Sequence, residues 1–189
     1  MRSSESTPSL RRRPIRLGIV LVGDDHARAC TGRRLLRLGL ATPVPAAGAG
    51  GVLLDPYSSQ LLSAADRGRA ERGGVVALDC SWNRLSAERS RRFGPSPAAT
   101  NRGHRRLPML VATNPQHFGR VGELNTVEAL AAALWVLGRA DAAGRLLNGF
   151  AGGPAFSVVN RARLERYAAA RTPEEVGLAE RASFGGPAA

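Results

Sequence analysis

Four short apolar runs rich in Val, Ile and Leu punctuate the first part of the chain: Leu17 to Val22, Gly51 to Leu54, Val75 to Leu78 and Leu107 to Ala112. Each has the length of a strand, and none alternates polar with apolar positions, the pattern of strands covered on both faces in a parallel or mixed sheet. Between the first two runs, Arg28 to Leu40 sets Leu35, Leu36, Leu38 and Leu40 among Arg33, Arg34 and Arg37, and Gly39 supplies a stop. Between the next two, Ser58 to Arg72 reads as a second helix ended by Gly73-Gly74. The order β-α-β-α-β predicts an α/β sheet for this half.

From Asn125 onward the period changes to helix after helix. Asn125 with Glu128 three residues later forms a capping-box pattern, after which Val127, Leu130, Ala131, Leu134 and Leu137 fall on one face. Further helices are predicted over Asp141 to Phe150, from near Asn160, and from Thr172-Pro173-Glu174-Glu175, which supplies a cap, a first-turn proline and an acid. Gly94-Pro95-Ser96-Pro97 lies in a loop. The expected organisation is an α/β class protein: a tail over residues 1–14, an N-terminal α/β domain with a mixed sheet over 15–106, a helical C-terminal domain over 107–182, and a tail over 183–189.

Charge narrows the partner. The 189 residues carry 27 positive and 15 acidic side chains, a formal net charge of +12, and every positive residue is Arg. A planar guanidinium grips phosphate bidentately and stacks on bases, so the excess points to nucleic acid; a GC-rich coding sequence would also replace Lys by Arg. Arg33, Arg34, Arg37, Arg105 and Arg106 are the candidate RNA contacts. No apolar run approaches the roughly 20 residues of a membrane span, so no membrane role is expected. Cys30 and Cys80 alone cannot build a disulfide framework, so a reducing cytoplasm is the expected setting.

Ligands of open α/β sheets bind beyond the carboxyl ends of the strands. There the chain places Asp24-Asp25-His26 and Cys30-Thr31-Gly32, then Asp55-Pro56, then Asp79-Cys80-Ser81-Trp82, then Thr113-Asn114-Pro115. Turn formation explains any one of these alone. Trp82 beside an acid suits a flat or cationic ligand, with core packing as the alternative. His26 and Cys30 have helical spacing, but no second close Cys or His pair joins them, so no metal is expected. Phosphate-loop and dinucleotide fingerprints are absent.

Together, Asp25-His26, Cys30-Thr31-Gly32-Arg33, Leu54-Asp55-Pro56, Leu62-Ser63-Ala64-Ala65-Asp66, Leu78-Asp79-Cys80-Ser81-Trp82, Ala112-Thr113-Asn114-Pro115 and Leu124-Asn125-Thr126-Val127-Glu128-Ala129-Leu130 closely resemble the small-subunit rRNA aminocarboxypropyltransferases of archaea and eukaryotes, from about Arg16 to about Glu180. The resemblance implies transfer of the 3-amino-3-carboxypropyl group of S-adenosylmethionine to N3 of an N1-methylated pseudouridine, in ribosome biogenesis. It also implies a deep trefoil knot similar to that of knotted RNA methyltransferases. By the same resemblance Thr31 holds the amino-acid end of the cofactor, Leu78 and Leu107 wall its nucleoside, Thr126 opens the long helix beside it, Trp82 packs near the sulfonium, and Asp79 is the acid beside Trp82. Because the imide N3 is a weak acid that a nearby carboxylate helps to deprotonate, Asp79 is also the candidate base, with a structural turn role as the alternative. Gly122 stands where the family has an aromatic at this site, and His117-Phe118 replaces its Asn-Tyr pair. A non-catalytic rRNA-binding assembly factor and a knotted RNA methyltransferase are the alternative readings. A monomer is expected.

Overall fold

The computed structural model describes residues 13–21, 30–45, 50–79 and 103–185. Among the described residues five strands form one sheet: β1 (Leu17–Leu21), β2 (Thr42–Pro43), β3 (Val52–Leu54), β4 (Val75–Asp79) and β5 (His104–Arg105), in the order β2-β1-β4-β3-β5. Every pairing is parallel, which corrects the expectation of a mixed sheet. The reason lies in the connections: β1 reaches β2 through helix α1 (Thr31–Arg37), and β3 reaches β4 through a 3-10 turn (Ala64–Asp66) and α2 (Arg67–Gly73). Such helical crossovers bring successive strands back in the same direction, whereas a hairpin reverses them.

The second half supplies four helices: α3 (Thr126–Val136), α4 (Ala140–Leu147), α5 (Gly153–Ala169) and α6 (Pro173–Phe184). The predicted capping box holds. Asn125 Oδ1 accepts the Glu128 N–H at 2.9 Å, and Glu128 Oε2 accepts the Asn125 N–H at 3.0 Å. The helix expected near Asn160 starts earlier, at Gly153-Pro154, after Gly152 turns the chain at φ 79°. The Gly-Gly-Pro run is thus a helix start, with proline in the first turn.

Side-chain alternation decides what faces what. Ile19, Val52, Leu54, Val75 and Ala77 join the main core, which continues through Leu130, Leu134, Leu147, Phe156, Leu164 and Tyr167 of the helices. Val20, Leu53 and Val76 point to the opposite face and form a smaller cluster with Val44 and Leu78. Helix α3 packs on β4, α1, α4 and α5 and is the central brace between sheet and helices. Asp79 has the same parity as Val75 and Ala77, so it turns toward α1 and α3 at the end of its strand.

The run Leu107 to Ala112 is not a strand of this sheet. Leu110 and Ala112 are fully buried, but the backbone finds other partners: Met109 N–H donates to Glu180 Oε1 at 2.7 Å, and Val111 N–H to Asn160 Oδ1 at 2.9 Å. Residues 110–122 then fold back as a tight hairpin, with a bridge between Val111 and Val121. The sheet instead takes its edge strand from His104–Arg105.

Candidate active site at the carboxyl ends of β1 and β4

From the adjacent carboxyl ends of β1 and β4, the chain departs in opposite directions, to β2 on one side and to β5 on the other. That is a topological switch point, where open α/β sheets leave a crevice. Asp79 sits there, in register with Leu21. Its Oδ1 accepts the hydroxyl of Thr126 and its Oδ2 the thiol of Cys30, both at 2.5 Å. Gly32 lies against the same carboxylate so closely that a Cβ there would run into it, at 2.6 Å from Oδ2 and 2.7 Å from Oδ1. Three elements therefore position one acid: the end of β4, the cap of α1 and the first turn of α3.

Cys30 is itself the cap of α1, its sulfur accepting the Arg33 N–H at 3.4 Å. Burial, followed by the hydrogen bond to Asp79, pushes its thiol above the ordinary value, so it stays protonated at neutral pH and donates. Thr31 follows in the first turn of α1, partly buried beside this cluster. A hydroxyl, a thiol and a carboxylate thus meet at the carboxyl ends of these strands, with the thiol and the hydroxyl both donating to the carboxylate.

A second polar cluster braces the first. Glu128, only 1% exposed, accepts through Oε1 from the Thr113 N–H at 2.8 Å and through Oε2 from Asn114 Nδ2 at 2.7 Å. The Thr113 hydroxyl lies 3.1 Å from Glu128 Oε1 and 2.9 Å from the Gly152 carbonyl. One buried carboxylate thus pins the 110–122 hairpin to the turn of α3 that carries Thr126.

The sequence-predicted residues separate into groups. Thr31, Asp79 and Thr126 come together. Leu78 precedes Asp79 and packs with the minor cluster, while Leu107 packs against the main core. Gly122 is exposed at φ 81°, and a methyl group in place of its Hα would meet nothing within 4 Å. Trp82 and Cys80, with His26, lie outside the described residues. Among the arginines, Arg34 and Arg37 are exposed on α1 and Arg33 is partly so; Arg34 also reaches the Gly149 carbonyl at 2.8 Å and stacks over Phe150. Arg105 and Arg106 are committed inside the fold. Arg105 pairs with buried Asp66 through Nε and a terminal nitrogen, each at 2.9 Å from Oδ1. Arg106 forms a two-pronged pair with Glu180 at 2.8 and 2.9 Å. They tie sheet edge to helices and have little left for a phosphate.

Comparison with known proteins decides the kinship. Residues 52–184 match the model of the family described as ribosome biogenesis protein, C-terminal. The 16S rRNA aminocarboxypropyltransferase of Methanopyrus kandleri is 43% identical over 156 residues, covering 81% of this chain and 89% of that protein. The protein of the same name from Halobacterium salinarum is 39% identical, over 85% and 91% of the two chains. The chain belongs to this aminocarboxypropyltransferase family. Its fold is also similar to that of the SAM-dependent rRNA:acp-transferase Tsr3 from Vulcanisaeta distributa, with a TM-score of 0.73, 32% identity, and 90% of this chain and 98% of that one covered.

Within the family framework, two features of the site went unread in the sequence. Cys30 was legible only as part of a motif, because its partner Asp79 is 49 residues away. Glu128 read as a capping residue and carries a second duty at Thr113 and Asn114. The buried Asp55–His104 pair, at 3.0 Å, likewise needed the sheet to bring β3 beside β5.

Proposed function

We propose that this chain transfers the 3-amino-3-carboxypropyl group of S-adenosylmethionine to N3 of an N1-methylated pseudouridine in small-subunit rRNA, in the cytoplasm and as a monomer. The observation that carries the reading is the carboxylate of Asp79 held at the switch point by Cys30 and Thr126, in a chain of this family. The co-substrate supplies the electrophile: the imide nitrogen bonds to the γ-carbon of the methionine part as the bond from that carbon to sulfur breaks, and methylthioadenosine leaves.

The residues of this chain have two tasks. The first is orientation, because a sulfonium has three electrophilic carbons and only the aminocarboxypropyl one must face the base. In-line placement at about 3–3.5 Å replaces a bimolecular encounter. Thr31, with Trp82, serves this task by holding the amino-acid end and the sulfonium, and Leu78 and Leu107 line the nucleoside side. The second task is removal of the imide proton. Asp79 accepts it, a contribution of about 10²–10⁴ in rate for a general base. Both of its oxygens already take a hydrogen bond, so the carboxylate is fixed in place before substrate arrives, which lowers the entropic cost of the transfer.

Arg33, Arg34 and Arg37 are proposed to meet the phosphates of the rRNA. The reading also carries the family's deep trefoil knot; the chain passes from β4 to β5 through residues 80–102, outside the described residues, and a crystal structure traced through that segment tests it. The activity is tested by incubating the protein with S-adenosylmethionine and small-subunit rRNA lacking the modification, then digesting the RNA to nucleosides for mass spectrometry. An aminocarboxypropyl adduct on the pseudouridine is expected. A methyl adduct, or RNA bound and unchanged, would overturn the assignment.

A further inference from the structure

Phe118 is 71% exposed, the most exposed aromatic side chain among the described residues. It is held rigidly. In the turn that carries it, the His117 N–H bonds both the Asn114 carbonyl and Asn114 Oδ1, at 3.2 and 3.1 Å. The Gly119 N–H bonds the Ala112 carbonyl at 2.8 Å, and the Arg120 N–H the His117 carbonyl at 3.0 Å. Gly119 takes φ 81°, a value that glycine adopts without strain, and it closes the turn. His117 also hydrogen-bonds Glu123, which ties the turn to the chain leading into α3.

The position of this turn gives the exposed ring a meaning that a scattered surface Phe lacks. Asn114 at its base is clamped by Glu128, and Glu128 lies two residues after Thr126, which holds Asp79. The ring therefore stands on a preorganised arm fixed to the candidate catalytic carboxylate. Arg120, on the same turn, is largely exposed and pairs with Glu123 at 3.2 Å. An aromatic face beside a guanidinium, on a chain of net charge +12, fits an unpaired nucleobase and its phosphate; a neutral apolar partner would leave the Arg unused.

We propose that Phe118 stacks on an unpaired base of the rRNA next to the nucleoside to be modified, with Arg120 at the adjoining phosphate. The inference rests on the function proposed above and adds a contact that sets RNA affinity separately from cofactor affinity. The closed turn matters here: a backbone already held by hydrogen bonds loses little conformational entropy when a base lands on the ring.

The test measures equilibrium binding of a fluorescein-labelled single-stranded fragment of small-subunit rRNA containing the target, by anisotropy. Wild type is compared with Phe118→Ala, Phe118→Leu and Phe118→Trp, and melting temperatures and S-adenosylmethionine affinity are recorded beside it. Stacking predicts that Ala and Leu weaken RNA binding by about 5- to 150-fold while Trp retains it, with cofactor affinity and melting temperature unchanged. In single-turnover transfer the loss should appear in the RNA concentration dependence and not in the saturating rate. Wild-type affinity in Phe118→Ala, or Leu binding as tightly as Phe, overturns the stacking. Weakened binding with no transfer by the wild type would leave the stacking in place and overturn the proposed activity.

Discussion

Replacing Glu128 by Gln tests whether the buried carboxylate holds the site together. Gln keeps size and shape but offers one acceptor oxygen and one NH₂ where Glu offers two acceptors. In one amide orientation the NH₂ faces Asn114 Nδ2 and the Asn125 N–H, which now donate to Oε2 at 2.7 and 3.0 Å. In the other it faces the Thr113 N–H, 2.8 Å from Oε1. Either way a buried donor meets a donor. A hydrogen bond to a charged acceptor contributes about 1.5–3 kcal/mol, and neutralising a buried charge gives some of that back, so a net loss of about 1–2 kcal/mol is expected. For a domain of this size that corresponds to a fall of roughly 2–8 °C in Tm. Calorimetry and urea unfolding of both proteins would measure it, and transfer assayed well below the transition should also fall because Thr126 shares the same helical turn. A change below about 0.5 kcal/mol, the range of ordinary surface substitutions, would refute the clamp.

Asp79→Asn should lower the transfer rate while leaving S-adenosylmethionine affinity nearly intact, and raising the pH should recover part of the rate as the imide ionises unaided; weakened cofactor binding without pH recovery, seen by calorimetry and single-turnover kinetics, would remove Asp79 from proton transfer. Arg105→Ala should destabilise the fold by about 3–5 kcal/mol by leaving buried Asp66 unpaired, whereas Arg37→Ala should leave stability unchanged and reduce the log–log salt slope of RNA binding by about 0.7–0.9. Burial, with Glu180 adding to it, pushes the Tyr167 hydroxyl up to about 12 from 10.0. The folded value lies above the unfolded one, so this contribution to stability is complete below pH 10 and is lost as pH rises through about 12. Tyr167→Phe should therefore lose less stability than wild type across that interval, while costing about 1 kcal/mol at neutral pH through the missing bond to the Met109 carbonyl.

What the sequence disclosed and what it hid follow from range. The runs that became β1, β3 and β4 are legible because strands covered on both faces must be apolar throughout, and the Asn125–Glu128 cap is legible because its partners are three residues apart. Leu107 to Ala112 has the same apolar signature without being in the sheet. Burial of Leu110 and Ala112 produces that signature, and only distant side chains, Asn160 and Glu180, decide where the backbone groups of this run bond. The edge strands β2 and β5, two residues each, are too short for any period to register. Family motifs singled out Thr31, Asp79 and Thr126, but their convergence, and the place of Cys30 in it, depend on pairings across the sheet that spacing alone does not encode.

Arg105 and Arg106 show the converse limit. Composition marks them as basic and adjacent, which fits a phosphate as well as it fits a carboxylate. Their carboxylate partners are Asp66, 39 residues before, and Glu180, 74 residues after.

Aminocarboxypropyl transfer is tested most directly by incubating the protein and small-subunit rRNA with S-adenosylmethionine labelled, in parallel reactions, at the carboxyl carbon and at the methyl group. The expected result is carboxyl label in the RNA, no methyl label, and one methylthioadenosine released per aminocarboxypropyl group transferred. Methyl label in the RNA, or label from neither position, would contradict the proposed reaction.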